Sequence, residues 1–289
     1  MVHKRYKPYR RLKLKRARLK RIFKSKVFWC GALGTLVFAG VSYAVFFTPF
    51  FRIENIEIEG NEKISNQDLR HVAEANLSKR ILFFSLNHFF LLDKTAVGTD
   101  IKQEFPEVES VVVKKRFPDS VLIEVQERQG IAVWCQQRTL QVQSEDSEEK
   151  ATRSLRQCFA LDKQGVIFEE RKPEKEVVLS AESGEAALGD TVVEPATLER
   201  LVQFQRDADA LSLFKQVGLR ILSMHIVSKE RVHAKISEGW EIYLNPQENV
   251  DWQVAKVKLV LEQEVPFQRR PFLEYLDLRF GDQVYIKYR

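Results

Sequence analysis

The chain has 289 residues, with 46 Lys and Arg against 40 Asp and Glu and a formal net charge of +6. Its 44% hydrophobic and 11% aromatic residues exclude a globally disordered chain, and its three cysteines exclude a disulfide-dense scaffold. The charge is unevenly distributed. Residues 1–26 hold 13 Lys and Arg and no Asp or Glu, whereas residues 50–289 hold 33 basic and 40 acidic side chains. A basic tail and an acidic body therefore flank an uncharged segment.

The uncharged segment predicts a transmembrane helix over residues 27–48. Its 21 residues from Val27 to Phe47 would give roughly 30 Å of helix, which is enough to cross a bilayer. A cleaved signal peptide is disfavoured, because the run is long and Thr48-Pro49-Phe50-Phe51 is no cleavage site. The positive residues predict that tail 1–26 is cytoplasmic and that the rest is extracytoplasmic. Topology control and anionic lipid explain this tail better than nucleic-acid binding.

Residues 49–128 predict a small α+β module. An S-x-x-D capping box at Ser65–Asp68 begins its first helix, and Phe117-Pro118-Asp119-Ser120 is typical of a turn. The order strand, helix, helix, strand, strand places the helices on one face of a sheet. The other expected elements are a strand over 51–59, a helix over 93–104, and strands over 108–115 and 121–126.

Residues 129–289 predict a second, β-rich domain with helices on a mostly antiparallel sheet. Apolar periodicity predicts helices over 197–215 and 250–263, and strands over 220–226, 232–236, 241–244, 273–280 and 284–288. Residues 140–157 are long and polar, and we expect an inserted, solvated loop within a hairpin. A partner-binding loop is the alternative.

Catalytic and metal-binding motifs are not found in the sequence. It lacks the phosphate-binding, zinc-protease, Cys-x-x-Cys and nucleophile-elbow patterns, and His225 and His233 have no obvious third ligand. We therefore predict no enzymatic activity, no cofactor, no metal and no small-molecule substrate. Cys135 and Cys158 flank the polar stretch at facing ends of the hairpin, so they either form a disulfide or remain two thiols.

A series of motifs resembles the FtsQ/DivIB family of bacterial cell-division proteins. The chain reads Ile56-x-Ile58-x-Gly60-Asn61 at the head of the module and Arg116-Phe117-Pro118-Asp119-Ser120 near its end, after an apolar anchor. The stretch from Tyr275 to Phe280 is similar to the family's terminal strand. Gln129 departs from the family, which usually has Pro there.

The resemblance implies a POTRA domain over 49–128 and a β domain over 129–289. It also implies a single-pass, type II inner-membrane scaffold of the divisome that is enriched at the septum. Its implied partners are FtsB and FtsL, with effects on septal peptidoglycan synthesis through FtsW and its transpeptidase.

The family's FtsB contact lies on the terminal strand and the preceding helix. By position, the candidate contacts are Tyr275, Leu278, Arg279, Phe280, Gly281, Asp282, Val284, Tyr285 and Lys287. Phe280 and Tyr285 would be aromatic anchors, and Arg279 would pair with an acidic partner. Because Leu276, Leu278 and Phe280 share one strand face, we expect about half of the candidates to be packing residues.

Two other functional classes remain as alternatives. A POTRA-bearing component of an outer-membrane assembly or secretion system would carry repeated units and a β-barrel, whereas we find one unit and no series of alternating strands. A membrane-anchored hydrolase would need a catalytic cleft, for which no motif is found.

Overall fold

The computed structural model describes residues 26–78, 80–81, 84–85, 88–143, 150–174, 176–181 and 185–289. The predicted tail lies outside the described residues, except for Lys26. The chain divides into two compact units. The first comprises the residues up to 59 together with 66–97 and 113–124, and the second comprises 60–65, 98–112 and 125–289.

The N-terminal part begins with a long apolar helix, α1, over Lys26–Phe47. A 3₁₀ turn over Pro49–Phe51 follows, because proline fixes φ at the start of a helical turn. The predicted strand over 51–59 therefore starts only at Asn55, where the apolar alternation slips. The remaining elements are β1 (Asn55–Glu59), α2 (Asn66–Ser78), β2 (Arg80–Ile81), β3 (Phe84–Ser85), α3 (Lys94–Glu104), β4 (Val108–Arg116) and β5 (Ser120–Glu127).

Strands β1, β5 and β4 form a three-stranded sheet in that order, with β1 parallel to β5. Gly60 ends β1 with φ +87°, and a Cβ there would lie 2.3 Å from the carbonyl oxygen of Val125, so only glycine fits. The carboxylate of Glu127 then accepts backbone N–H groups of Glu62, Lys63 and Ile64. These bonds fix the loop that leads from β1 into α2.

The C-terminal part contains a nine-stranded sheet in the order β14-β13-β12-β11-β10-β9-β6-β7-β8. Its strands are β6 (Gly130–Gln143), β7 (Lys150–Asp162), β8 (Ile167–Glu170), β9 (Val177–Ala181), β10 (Ile221–Ser228), β11 (Arg231–Ile236), β12 (Glu241–Leu244), β13 (Leu273–Phe280) and β14 (Gln283–Tyr288). Its helices are α4 (Pro195–Ala210), α5 (Ser212–Val217), α6 (Val250–Gln263) and a 3₁₀ turn over Phe267–Phe272. The predicted α+β fold class is confirmed.

One apolar core joins the helices to the sheet. Phe204 of α4, Val257 of α6, Ile242 of β12 and Leu276 of β13 are fully buried in it, and Trp240 is buried with them. The apolar periodicity of α4 and α6 thus faces the strands, as expected of helices that cover one sheet face.

Three parts of the second domain differ from the sequence-based expectation. Of the predicted loop 140–157, residues 140–143 and 150–157 continue β6 and β7, whose pairing runs to Gln143 and Lys150, and residues 144–149 lie outside the described residues. Backbone pairing between the two strands holds these polar residues in the sheet. Strand β9 was not predicted, yet it pairs in parallel with both β6 and β10. The predicted helix over 197–215 breaks at Leu211, whose backbone is extended (φ −57°, ψ 134°).

Cys135 and Cys158 are directly opposite each other in the β6–β7 ladder. A disulfide joins them, with a Cα–Cα distance of 4.1 Å. The cross-link therefore lies within the paired strands, 23 positions apart in sequence.

Candidate partner-binding edge

Strand β14 is at the edge of the nine-stranded sheet. Among the described strands its neighbour is β13, to which it pairs antiparallel from Leu273–Tyr288 to Phe280–Gln283. The outer side of β14 therefore presents main-chain N–H and C=O groups that another strand can bind. Such an edge is a template for adding a strand to the sheet.

The side chains of β14 alternate between the two faces of the sheet. Val284, Ile286 and Tyr288 are partly buried against the apolar core. Tyr285 and Lys287 are exposed on the opposite face. Of the predicted contacts on this strand, Val284 thus lies on the helix side and the other two lie on the outward side.

The predicted contact residues of strand β13 also alternate between the two faces of the sheet, except at the end of the strand. Leu278 is fully buried in the core, as expected of one of the packing residues among the candidates. The pairing register shifts between Asp277 and Phe280, which marks a bulge. Phe280 therefore departs from the buried face and is 51% exposed, although alternation placed it beside Leu278.

Phe280 and Tyr285 form an exposed aromatic pair next to the turn. Their ring centroids are 5.0 Å apart with the rings nearly perpendicular, and each side chain is 51% exposed. Gly281 and Asp282 connect the two strands, with Gly281 at φ +56°, in the left-handed region. The structure thus brings the two predicted aromatic anchors together at the tip of the terminal hairpin.

The outward face carries a row of stacked aromatic rings. Tyr243 of β12 stacks on His233 of β11 at 4.0 Å and on Tyr275 of β13 at 4.6 Å between centroids. The guanidinium of Arg279 lies 5.9 Å from the ring of Tyr243 and the ammonium of Lys287 lies 5.7 Å from that of Tyr275. Such cation–π contacts hold long basic side chains flat on the sheet.

The basic residues of this face already have acidic neighbours. Arg279 donates from Nε and Nη2 to the two carboxylate oxygens of Asp277, at 2.8 and 2.6 Å. This hydrogen bonding raises the pKa of Arg279 above its ordinary value. Lys287 donates to Glu274 at 3.0 Å, which raises the pKa of Lys287. Arg279 is therefore already paired with an acidic residue within the fold.

An apolar groove of about 500 Å³ runs between α6 and β14. Its floor and walls are Trp252, Ala255, Leu259, Val260, Val284 and Ile286, and Lys256, Glu264 and Asp282 are polar members of the lining. Trp252 and Leu259 are 49% and 54% exposed.

The sequence analysis missed Trp252 and Leu259 as site residues. They are seven positions apart and so lie on one side of α6, away from its buried stripe. Two large apolar side chains on the exposed side of an amphipathic helix were the signal that could have found them.

Comparison with known proteins supports the predicted POTRA domain. Residues 51–128 match the family described as POTRA domain, FtsQ-type. This stretch is similar to an FtsQ-type POTRA domain. The match confirms the predicted resemblance to the FtsQ/DivIB family and supports a cell-division, FtsQ-like protein. Among curated proteins, the chain has no match. Helix Lys26–Val45, which is long and apolar enough to cross a membrane, indicates a single-pass membrane protein.

Proposed function

We propose that this protein is a non-enzymatic scaffold of the divisome that binds FtsB and FtsL outside the cytoplasm. Through them it regulates septal peptidoglycan synthesis by FtsW and its transpeptidase. The observation that carries the proposal is the open edge of β14 beside the apolar groove of α6. The basic residues before α1 support a cytoplasmic N-terminus, which leaves the POTRA domain and the β domain extracytoplasmic.

Partner binding occurs by strand addition. An extended partner segment pairs its main chain with β14 and so continues the nine-stranded sheet. Alternate partner side chains then point to opposite faces. One set enters the groove beside Val284, Ile286 and Leu259, and the other set lies next to Tyr285. The expected partner segment therefore alternates apolar and polar residues.

The acidic residues that line the groove support a partner segment with basic side chains. Glu264 and Asp282 belong to the lining, while Lys256 is buried and turned to the main chain. Because rim charges steer association more than they add affinity, basic partner residues should mainly raise the association rate. The charged pair expected at Arg279 is not part of this proposal.

Two substitutions at the hairpin tip test strand addition. Phe280→Ala removes one aromatic anchor, and Tyr285→Glu puts a charge where the partner strand would lie. We expect each to weaken binding of the full-length protein to FtsB about tenfold or more, in the range of interface anchors. Leu222→Ala is the matched control, since Leu222 is a 51% exposed apolar residue on β10. Normal FtsB binding by both folded variants would disprove the strand-addition proposal.

Localisation tests the functional class separately from the contact site. A fluorescent fusion of the full chain should concentrate at mid-cell in dividing cells. Diffuse labelling of the envelope would count against a division protein and would favour an outer-membrane assembly or secretion role.

A further inference from the structure

We propose that an aromatic cluster at the far end of α1 docks onto the surface of the bilayer that α1 crosses. The juxtamembrane aromatic cluster comprises Phe50, Phe51, Phe89, Phe90 and Phe117. The inference depends on α1 as a membrane span and not on the proposed partners FtsB and FtsL. All five residues belong to the first compact unit, as does α1.

Phe51 is the centre of the cluster. Its ring centroid is 5.0 Å from that of Phe50, 5.4 Å from that of Phe90 and 5.9 Å from that of Phe117. Its carbonyl oxygen accepts the N–H of Phe89 at 2.9 Å, and Phe89 packs edge-on against Phe117 at 5.8 Å. Three separate chain segments are thereby fixed into one apolar surface.

The outer rings of the cluster face away from the protein. Phe50 is 61%, Phe90 51% and Phe117 68% exposed. Single exposed apolar residues are ordinary, but these three phenylalanine rings all pack on Phe51 and so form one apolar patch, which marks an interaction surface. The two inner rings, Phe51 and Phe89, are half-buried and support the outer three.

The cluster lies where the membrane span ends. His88 Nε2 is 2.7 Å from the carbonyl oxygen of Val45, the last residue of the apolar span Lys26–Val45. Phe50 follows Val45 by five positions, and Phe89 and Phe90 directly follow His88. The exposed rings are therefore at the level of the membrane–water boundary, where aromatic side chains are favoured.

Positive charge borders the cluster. The ammonium of Lys115 lies 5.7 Å from the ring centre of Phe89. Burial lowers the pKa of Lys115, and the neighbouring charge of Lys94 lowers it further, although Asp93 opposes both effects. Anionic lipid headgroups would relieve the repulsion between the two lysines, whereas an apolar protein surface would not. This charge favours a lipid surface as the occupant of the patch.

Docking would hold the POTRA domain against the outer leaflet, whereas an undocked domain would be attached to the membrane only through α1.

A reporter in the cluster of the full-length protein tests this. Phe117→Cys, made with Cys30→Ala, is labelled with bimane and reconstituted into nanodiscs of phosphatidylethanolamine and phosphatidylglycerol. We expect the bimane to be shielded from aqueous iodide and quenched by nitroxide-labelled lipid. Replacing phosphatidylglycerol by phosphatidylcholine should weaken the shielding, since the lysines then lose their anionic partners.

The double substitution Phe50→Ser/Phe90→Ser should release the reporter. Loss of two phenylalanine rings that docking would bury in the bilayer surface is expected to change the docked-to-undocked ratio by more than about tenfold. The matched control is Leu188→Ser/Leu222→Ser, which removes two exposed leucines elsewhere and should leave the shielding unchanged. FtsB binding should survive the Phe50/Phe90 change, which separates this proposal from the previous one.

Three results would overturn membrane docking. The first is a reporter that iodide reaches as readily when Phe50 and Phe90 are intact as in the Phe50/Phe90 variant. The second is shielding that persists after both phenylalanines are removed, because tethering alone would then explain it. The third is shielding without nitroxide quenching, which would mean that another protein surface, such as a second copy, covers the cluster.

Discussion

The ammonium group of Lys256 on α6 donates a hydrogen bond to the carbonyl oxygen of Gly281 at 2.7 Å, in the turn between β13 and β14. It also donates to the carbonyl oxygen of Leu278. Lys256 is only 3% exposed, and burial lowers its pKa below the ordinary value, against the opposing charges of Glu248 and Asp282. A buried cation thus holds the tip of the terminal hairpin against α6.

Substitution of Lys256 should loosen the hairpin tip. Lys256→Met retains the apolar stem but leaves two main-chain carbonyl groups without their donor, so we expect a loss of about 2 kcal/mol or more in the free energy of unfolding. Partner binding should weaken as well, because Phe280 and Tyr285 lose their fixed positions. Denaturant unfolding of the full-length protein in nanodiscs measures the first effect.

Lys258→Met is the matched control for Lys256, since Lys258 lies on the same helix but is exposed. Its free energy of unfolding should stay within about 0.5 kcal/mol of the unchanged protein. Equal effects of the two substitutions would show that Lys256 does not hold the turn.

The ion pair between Asp277 and Arg279 should contribute more to the free energy of unfolding than the pair between Glu274 and Lys287. Asp277 is almost fully buried and binds the guanidinium through both oxygens, whereas the side chains of Glu274 and Lys287 are 41% and 53% exposed. We expect Asp277→Asn to lower the free energy of unfolding by about 1–3 kcal/mol. Glu274→Gln should cost less than about 1 kcal/mol.

Salt distinguishes the two ion pairs further. Exposed charges are screened by added salt and buried ones much less. The effect of Asp277→Asn should therefore persist at high salt while that of Glu274→Gln disappears. A larger effect at Glu274 than at Asp277 would contradict this order.

Loss of the disulfide should destabilise the β6–β7 hairpin. In the chain-entropy account, cross-linking Cys135 to Cys158 removes about 3 kcal/mol of unfolded-state entropy. The double substitution Cys135→Ala/Cys158→Ala should lower the free energy of unfolding by this order, whereas Cys30→Ala should leave it unchanged. Reaction of both cysteines with maleimide in the native, unreduced protein would show that the bridge is absent.

The sequence predicted those elements whose apolar period is regular. Helix Val250–Gln263 and strands Glu241–Leu244 and Leu273–Phe280 have the predicted bounds. Strand β9, over Val177–Ala181, was missed because a short continuous apolar run between two parallel neighbours shows no alternation. The extension of β6 and β7 was missed for the opposite reason. Main-chain pairing sustains those strands, and their polar composition resembles that of a loop.

The arrangement of side chains on the candidate hairpin could be predicted only in part. The terminal hairpin and its aromatic residues could be found by resemblance, and alternation correctly warned that some of them pack inside. The bulge after Asp277 takes Phe280 off the buried face that it was expected to share with Leu278. The groove forms because α6 lies beside β14. No local sequence pattern predicts this tertiary contact.

Acidification should destabilise the nine-stranded sheet through His233. Burial lowers the pKa of His233 below its ordinary value of 6.5, and the charge of Arg231 adds to the effect. Arg231 Nε donates to His233 Nε2 at 2.7 Å, which requires that nitrogen to be unprotonated. The other charged groups that act on this imidazole are Glu241, His225 and Arg279.

The direction of the pH effect follows from the pH at which the folded and the unfolded chain each protonate His233. The unfolded chain protonates this histidine near pH 6.5, whereas the folded chain does so only at a lower pH. The contribution of His233 to stability is therefore complete at neutral pH and falls as the pH drops below about 6.5. His233→Asn should flatten the pH dependence of the free energy of unfolding between neutral and mildly acidic pH. His71→Asn, at an exposed position on α2, should leave it unchanged. An unaltered pH dependence in the His233 variant would exclude this histidine as the source.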